Sequence, residues 1–390
     1  MAGLPVTAPR ILFYVQHLLG IGHLARASRI AQALAANGFA VTVVTGGVPV
    51  PGFPGAGVET VGLPPITPDQ TFAGLIDLAG NPADDAFKAR RRDLLLRALA
   101  DTRPDIVVIE AYPFGRRQMR FELLPLLDAV AAMQPKPALV TSIRDLLQER
   151  VKPGRNEETV EILNRHFDLV MVHGDPSFAE LGETFAMTSE IRPPIAYTGL
   201  VAAPAAEPSP ERYDVVVSAG GGAAGRLLTE TAVAAARMPS RDRRWCLITG
   251  PNLPQADFEA AKAAAPAGLA IFRFRQDFRS LLAAAGLSVS QAGYNTVGDV
   301  LQAGCRAVYV PFAAGGETEQ TARVGRLGRL GLGTWISERE LTPELLVDAV
   351  ERQLAMPRPP AHALDLEGAR KTVALLRELV RSPATPIRSA

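Results

Sequence analysis

Short apolar runs rich in β-branched residues alternate with longer Ala/Leu-rich stretches along the whole chain, and few folds accommodate that alternation. In the first half the runs are ILFYV (11–15), AVTVVT (40–45), DIVVIE (105–110), ALVTS (138–142) and LVMVH (169–173). They are apolar almost throughout instead of alternately polar, so each strand is expected to be buried on both faces. The stretches between them have helical spacing. In HLARASRIAQALAANG, Leu24, Ala27, Ala31 and Leu34 share one face and Gly38 follows the end. Strand, helix and strand in this order predict an α/β protein built on doubly wound parallel sheets.

Composition changes at GLVAAPAAEPSPER (199–212), where small residues and prolines without periodicity read as a linker. A second βα series follows: YDVVVSA, RWCLITG, LAIFRF, LSVSQ and AVYVPF. The predicted organisation is two Rossmann-like domains, 1–199 and 213–365, joined by a linker over 200–212. A last helical segment, 366–390, comes after the Pro-rich break that starts at Met356 and is expected to pack back on the first domain. At 390 residues the chain has room for two such cores. Sheets of this kind bind ligands at the C-terminal ends of their strands. Two of them facing each other predict a central cleft lined by the loops that follow the strands.

Bulk properties remove other classes. With 41 basic and 40 acidic residues the formal net charge is +1, so no nucleic-acid partner is expected. The two cysteines, Cys246 and Cys305, lie in apolar surroundings without metal-ligand spacing and read as buried thiols of a reducing compartment. MAGLPVTAPR has no charged leader followed by an apolar core, and no run of about 18 apolar residues occurs, so a cytoplasmic protein is expected. The arginines Arg90 to Arg92, beside DLLLR, and Arg116-Arg117, near Phe114, have two readings. They form either a solvated helix face or a peripheral contact with an anionic membrane.

The first strand is followed by QHLLGIGHLARASR, where Gly20 and Gly22 permit a tight turn and His23 stands at a helix start. Gly20, Gly22 and Ala25 also fit a dinucleotide fingerprint. That motif needs an acid at the end of the second strand, and VTVVTGGVPV has none, so a nicotinamide cofactor is not expected. A capping or packing role is the plainer reading of His23. In the second half, VVVSAGGGAAGRLL places Gly220, Gly221 and Gly222 between a strand and a helix. Free N–H groups and the helix dipole converge there on a position that suits a phosphate or diphosphate. A tight turn alone would also use glycines.

The most informative stretch is SQAGYNTVGDVLQAGCRAVYVPF (290–312). Gly293 permits a turn after the strand, and Asn295 and Thr296 offer a cap and a hydroxyl at the next helix start. Thr296 and the Gln291 amide can donate to a phosphate, and Asp299 can accept both hydroxyls of a ribose. In the later AAGGETEQTARVGR, Glu319 and Gln320 suit the hydroxyls of a sugar. A capped helix and a solvated loop would look similar taken singly; the ordered series favours a site.

This series resembles family 28 of the nucleotide-sugar glycosyltransferases, which have the GT-B fold and include a bacterial cell-wall N-acetylglucosaminyltransferase. The related plant-type pattern H-x-G-x-N-S/T-x-x-E is matched in register by Gln291, Gly293, Asn295, Thr296 and Asp299, followed by Gly304, Pro311 and Glu319-Gln320. Gln291 stands in place of the His, and Asp299 in place of the Glu. The resemblance implies a donor diphosphate at Gly220–Gly222, Gln291 and Thr296, its ribose at Asp299, and the transferred sugar at Glu319 and Gln320. Gly22-His23 resembles the family's G-G-H loop. His23 is then the candidate base, with Glu110 as the alternative.

The implied reaction is an inverting transfer from a UDP-sugar such as UDP-N-acetylglucosamine to a lipid-linked or small-molecule acceptor, without a cofactor. No Asp-x-Asp sequence is present to hold a divalent metal, so metal-independent catalysis is expected. Two alternatives stay open: a nucleotide-sugar 2-epimerase of the same fold, which needs further cleft carboxylates, and a non-catalytic nucleotide-sugar-binding module.

Overall fold

The apolar runs form parallel sheets. The structure, a computed structural model, describes residues 8–18, 20, 22–69, 74–148, 152–220, 225–238, 243–313, 316–359 and 361–381. The chain divides into two compact units. The first runs to Val201 and resumes at Glu367, and the second is Ala202–Leu366.

The first unit opens with β1 (Arg10–Val15), α1 (Gly22–Ala36), β2 (Ala40–Thr45) and β3 (Glu59–Gly62). A small antiparallel ladder of β4 (Thr67–Pro68) and β5 (Leu75–Ile76) precedes α2 (Asp85–Thr102) and β6 (Ile106–Glu110). Then come α3 (Arg120–Ala132), β7 (Ala138–Arg144), α4 (Arg155–His166), β8 (Leu169–His173) and β9 (Ile195–Tyr197). The main sheet has seven strands in the order β3-β2-β1-β6-β7-β8-β9. Every pairing in it is parallel. The two edge strands carry no apolar run in the sequence because neither is buried: β3 (ETVG) is largely exposed and β9 (IAY) is half-buried.

The second unit repeats the scheme with β10 (Val215–Ser218), α5 (Arg226–Arg237), β11 (Trp245–Ile248), α6 (Gln255–Ala263), β12 (Leu269–Phe272) and α7 (Phe278–Ala284). It continues with β13 (Leu287–Ser290), α8 (Tyr294–Ala303), β14 (Arg306–Tyr309), α9 (Glu319–Arg329), β15 (Thr334–Trp335) and α10 (Pro343–Ala355). Its six parallel strands run β12-β11-β10-β13-β14-β15. The last helix, α11 (Gly368–Arg381), belongs to the first unit, where it packs on α1. No helix among the described residues is long and apolar enough to cross a membrane.

Side chains alternate across each strand, and this sorts the residues that matter. On one face, Leu12 and Tyr14, Val107 and Ile109, Leu139 and Ile143, and Val170 and Val172 pack against Leu95 and Leu99 of α2 and Leu123, Leu126 and Leu127 of α3. Glu110, Ser142 and His173 occupy the alternate positions, on the face of α1. Each ends its strand or lies near the end, so together they form a polar rim on an apolar core.

The opposite face holds a second polar cluster, and it corrects the reading of Arg90–Arg92 as a single basic surface. Successive helical residues point about 100° apart, so three in a row cannot share one face. Arg91 points inward and is fully buried with Glu122, to which its Nε and Nη2 donate at 2.9 and 2.8 Å. Tyr14 donates to the same carboxylate at 2.5 Å. Arg91 also donates to Gln16 Oε1 at 2.9 Å, to the Gly46 carbonyl at 3.1 Å and to the Pro64 carbonyl. It thereby ties together the loops that follow β1, β2 and β3. Gly46 is required there, because a Cβ would overlap the guanidinium.

Removing one partner of a buried pair strands the other charge, which costs about 3–5 kcal/mol. Arg91→Leu is therefore expected to lower the free energy of unfolding by that amount in denaturant titrations, with little dependence on salt. A loss below about 1 kcal/mol, the range of an exposed pair, would show that the cluster does not hold these loops.

Candidate active site

In each sheet the chain reverses its direction of strand addition between the first strand and a later neighbour: β1 beside β6 in the first unit, β10 beside β13 in the second. At such a switch point the loops leave in opposite directions and open a crevice at the strands' C-terminal ends. The expected site residues fall at these two points. Gly20, Gly22 and His23 follow β1, and Glu110 ends β6. Gly220 follows β10, and Gln291 and Gly293 follow β13.

At the first point, Gly22 and His23 open α1. His23 Nδ1 lies 2.9 Å from Glu110 Oε1, and Arg26, one turn further along the same helix, donates to that same oxygen. The other carboxylate oxygen, Oε2, accepts from Ser142 Oγ at 2.6 Å. Ser142 in turn lies 2.9 Å from His173 Nε2, and His173 Nδ1 lies 2.8 Å from Thr198 Oγ1. Glu110 is sealed from solvent, whereas the side chain of His23 keeps 21% of its exposure. The two residues expected as alternative bases are therefore one unit. Glu110 holds Nδ1, and only His23 can touch a ligand.

The electrostatics agree. Burial alone would raise the Glu110 carboxyl, but the charge of Arg26 and the hydrogen bonds from His23 and Ser142 outweigh it and hold the pKa at about 2. Burial of the His23 ring, reinforced by the nearby charge of Arg116, outweighs the pull of Glu110 and lowers its pKa to about 3. His173 is pushed down to about 3 by burial and by the charge of Arg26. Near neutral pH the site thus holds a carboxylate and two uncharged imidazoles. A carboxylate only accepts hydrogen bonds. Neutral His23 therefore carries its proton on Nδ1, and its basic nitrogen is Nε2.

Sequence reasoning missed Arg26, Ser142, His173 and Thr198. A partial signal existed: the runs DIVVIE, ALVTS and LVMVH each end in a polar residue, although His173 pairs with Arg144, two positions beyond Ser142. Glu110 and Ser142 are direct partners across β6 and β7.

At the second point, Gly220 has φ +78°, and a Cβ there would come within 2.6 Å of Gln291 Oε1. Both the backbone and the close approach of Gln291 demand glycine. Gly221 and Gly222 lie outside the described residues. Gly293 precedes α8 directly as its cap, which corrects the expected helix start. Asn295 and Thr296 lie within the first turn instead of capping it, because extended backbone at Gly293 already leads into the helix. Asp299 is 8% exposed and, with Gln302 and Ala303 on the same face of α8, lines a cavity of about 210 Å³ closed by Pro204, Pro208 and Arg279.

Glu319 and Gln320 open α9, and their oxygens face the protein. Glu319 accepts from the buried Arg323 at 2.7 Å, and Arg323 donates to the Ala292 carbonyl at 2.9 Å. Gln320 Oε1 accepts from the N–H groups of Ala292 and Phe312 at 2.9 and 3.1 Å. Both residues thus brace the loop that carries Gln291 and Gly293.

The lowered pKa values set a direction for stability against pH. His23 and His173 bind a proton more readily in the unfolded chain, where an ordinary histidine titrates near 6.5, than in the folded one, where both titrate at about 3. Their contribution is therefore complete above about pH 6.5 and is lost as pH falls towards 3, each by up to about 1.4 kcal/mol per pH unit. Glu110, held at about 2, adds a loss in the same direction at lower pH. Unfolding free energies measured from pH 7 to 4 should fall steadily, and His173→Gln should flatten the slope. A stability unchanged over this range would mean that these imidazoles titrate in the fold as they do in the unfolded chain.

Residues 215–374 match the glycosyltransferase family 28 C-terminal domain. Among curated relatives, a UDP-N-acetylglucosamine–N-acetylmuramyl-(pentapeptide) pyrophosphoryl-undecaprenol N-acetylglucosamine transferase from Brucella anthropi is 30% identical over 154 residues, which are 38% of this chain and 40% of the relative. The protein of the same name from Burkholderia orbicola is 32% identical over 99 residues, 25% of this chain and 27% of the relative. The chain thus aligns with well under half the length of these relatives. Two solved structures superpose over nearly the full chain. The calicheamicin glycosyltransferase does so with a TM-score of 0.59 and 21% identity, covering 97% of this chain and 96% of its own. MurG from Acinetobacter baumannii gives 0.60 and 18%, covering 95% of this chain and 100% of its own. At such identities the likeness is one of fold. The chain has the GT-B fold and is family 28-like, in that its residues 215–374 match the family's C-terminal domain.

Proposed function

We propose that this chain is a glycosyltransferase that moves a sugar from a nucleoside diphosphate sugar to an acceptor hydroxyl, with His23 as the base. One observation carries the reading: a neutral histidine, tethered through Nδ1 to a buried carboxylate at the switch point of one sheet, in a chain whose other sheet belongs to a family 28 C-terminal domain.

In this reading the acceptor O–H gives its proton to Nε2 of His23. The acceptor oxygen forms a bond to the anomeric carbon as the bond from that carbon to the diphosphate breaks, and the electron pair leaves with the nucleoside diphosphate. Attack from the face opposite the leaving group inverts the anomeric centre. Glu110, already ionised and needing no reorganisation, offsets part of the cost of burying the imidazolium that forms. On the donor side, the diphosphate lies at Gly220, Gln291 and the first turn of α8, where Thr296 adds a hydroxyl. Asp299 takes the ribose. The transferred sugar meets the Gln320 amide, while the Glu319 carboxylate braces the loop through Arg323. Leaving-group charge is met by N–H groups, so the reaction proceeds without a divalent metal, in keeping with a sequence that has no Asp-x-Asp.

UDP-N-acetylglucosamine is the first donor to test, because the curated relatives carry it in their names. Those names also specify a lipid-linked acceptor, whereas a solved neighbour is named for calicheamicin. His23 itself requires only a hydroxyl. An epimerase would need a carboxylate that reaches the sugar, and the burial of Glu110 beneath three donors counts against that.

A general base contributes about 10²–10⁴-fold. His23→Gln keeps a polar side chain but cannot take the proton, so turnover should fall by about that factor, with nucleotide affinity unchanged by calorimetry. Turnover within a few-fold of normal would remove His23 from the chemistry.

A further inference from the structure

The transfer reaction as proposed uses His23 and Glu110 but gives no task to the buried groups behind them. Ser142, His173 and Thr198 are each at most 1% exposed. Ser142 lies near the end of β7, His173 ends β8 and Thr198 follows β9, and the three run in single file away from Glu110, with contacts of 2.6, 2.9 and 2.8 Å. A polar file of this kind inside a sheet costs free energy to bury and needs every partner satisfied.

The direction of each hydrogen bond follows from the carboxylate. Glu110 can only accept, so Ser142 spends its one hydrogen on Oε2. The Ser142 oxygen must then accept from His173, whose proton is on Nε2. His173 Nδ1 is left as an acceptor, and the nearest donor is the hydroxyl of Thr198. The hydrogens shared within the file point towards Glu110; the Thr198 hydroxyl also has the Gly199 carbonyl at 3.2 Å and the Val172 carbonyl at 3.5 Å, both longer than its 2.8 Å contact with His173. On the other side, Arg26 and Nδ1–H of His23 point towards Glu110 as well.

We propose that Ser142, His173 and Thr198 are positioning residues, a one-way chain of donors that fixes Glu110 as an acceptor and thereby presents Nε2 of His23 as the basic nitrogen. If the chain is broken, Glu110 loses the donor on Oε2. The carboxylate then turns or takes up a proton, and His23 is free to hold its proton on either nitrogen. The catalytic part of this inference rests on His23 being the base; the tautomer part does not.

The test is proton–nitrogen correlation spectroscopy of protein labelled in its histidines, of which the chain has five, assigned by single substitutions. In the wild type, between pH 6 and 8, His23 should carry its proton on Nδ1 and His173 on Nε2. Ser142→Ala should shift His23 to a mixture of both tautomers and lower turnover about tenfold, the loss expected for one hydrogen bond to a charged group. His173→Leu should act in the same direction. His173→Gln should restore the Nδ1–H form of His23, since its amide can donate to Ser142 and accept from Thr198.

A wild-type His173 protonated on Nδ1 would overturn the chain without any variant, as would a His23 tautomer untouched by Ser142→Ala. If no donor supports transfer but the tautomers respond as described, the chain stands and the proposed activity fails. If transfer occurs and the tautomers do not respond, the activity stands and the chain fails.

Discussion

The Glu110 carboxylate has no access to water, and its charge is tolerable only because both oxygens are occupied by three donors from two different elements. Arg26 and His23 approach from α1 and Ser142 from β7. Removing all three would leave an ion whose burial costs several kcal/mol, so the carboxylate dictates how α1 meets the sheet. The consequence for chemistry is indirect but definite. A histidine tethered at Nδ1 and partly exposed has one nitrogen left for a ligand, and burial keeps that nitrogen deprotonated well below neutral pH.

The same economy appears elsewhere in both units: a buried ion pair or amide is spent on holding a loop at a switch point. Arg91, with Glu122, ties the loops after β1, β2 and β3. Arg323, with Glu319, and Gln320 tie the loop after β13. In each case the loop that follows a strand is fastened from below by a side chain of a helix. Such loops can meet a ligand with little ordering cost, which favours binding and orientation.

Much of this was legible in the sequence, and what was not has physical reasons. The central strands announce themselves because burial on both faces forces continuous apolar runs; β2 and β8 fall on AVTVVT and LVMVH to the residue. Edge strands such as β3 need no such run and left no mark. The glycines at 20, 22, 220 and 293 were readable as loops entering helices, but pattern alone could not say that Gln291 presses on Gly220. Glu319 and Arg323 have the spacing of a helical ion pair, yet nothing in ETEQTAR tells that the pair is buried. The run Arg90–Arg92 misleads for a simple reason: local composition does not record which way a helix is rotated. His173 was hidden as the last letter of an apolar strand, where a single polar residue reads as the strand's end.

The claim on which the functional reading depends most is that the second unit holds a nucleoside diphosphate. It can be tested without knowing the acceptor, by following the melting temperature of the protein in a panel of nucleoside diphosphates, the matching monophosphates and inorganic pyrophosphate. A ligand bound only by the folded state stabilises it, by about 2.7 kcal/mol at a hundredfold excess over its dissociation constant. At least one nucleoside diphosphate is expected to raise the melting temperature, by more than its monophosphate or pyrophosphate does. No shift with any nucleoside diphosphate at millimolar concentration would contradict the claim.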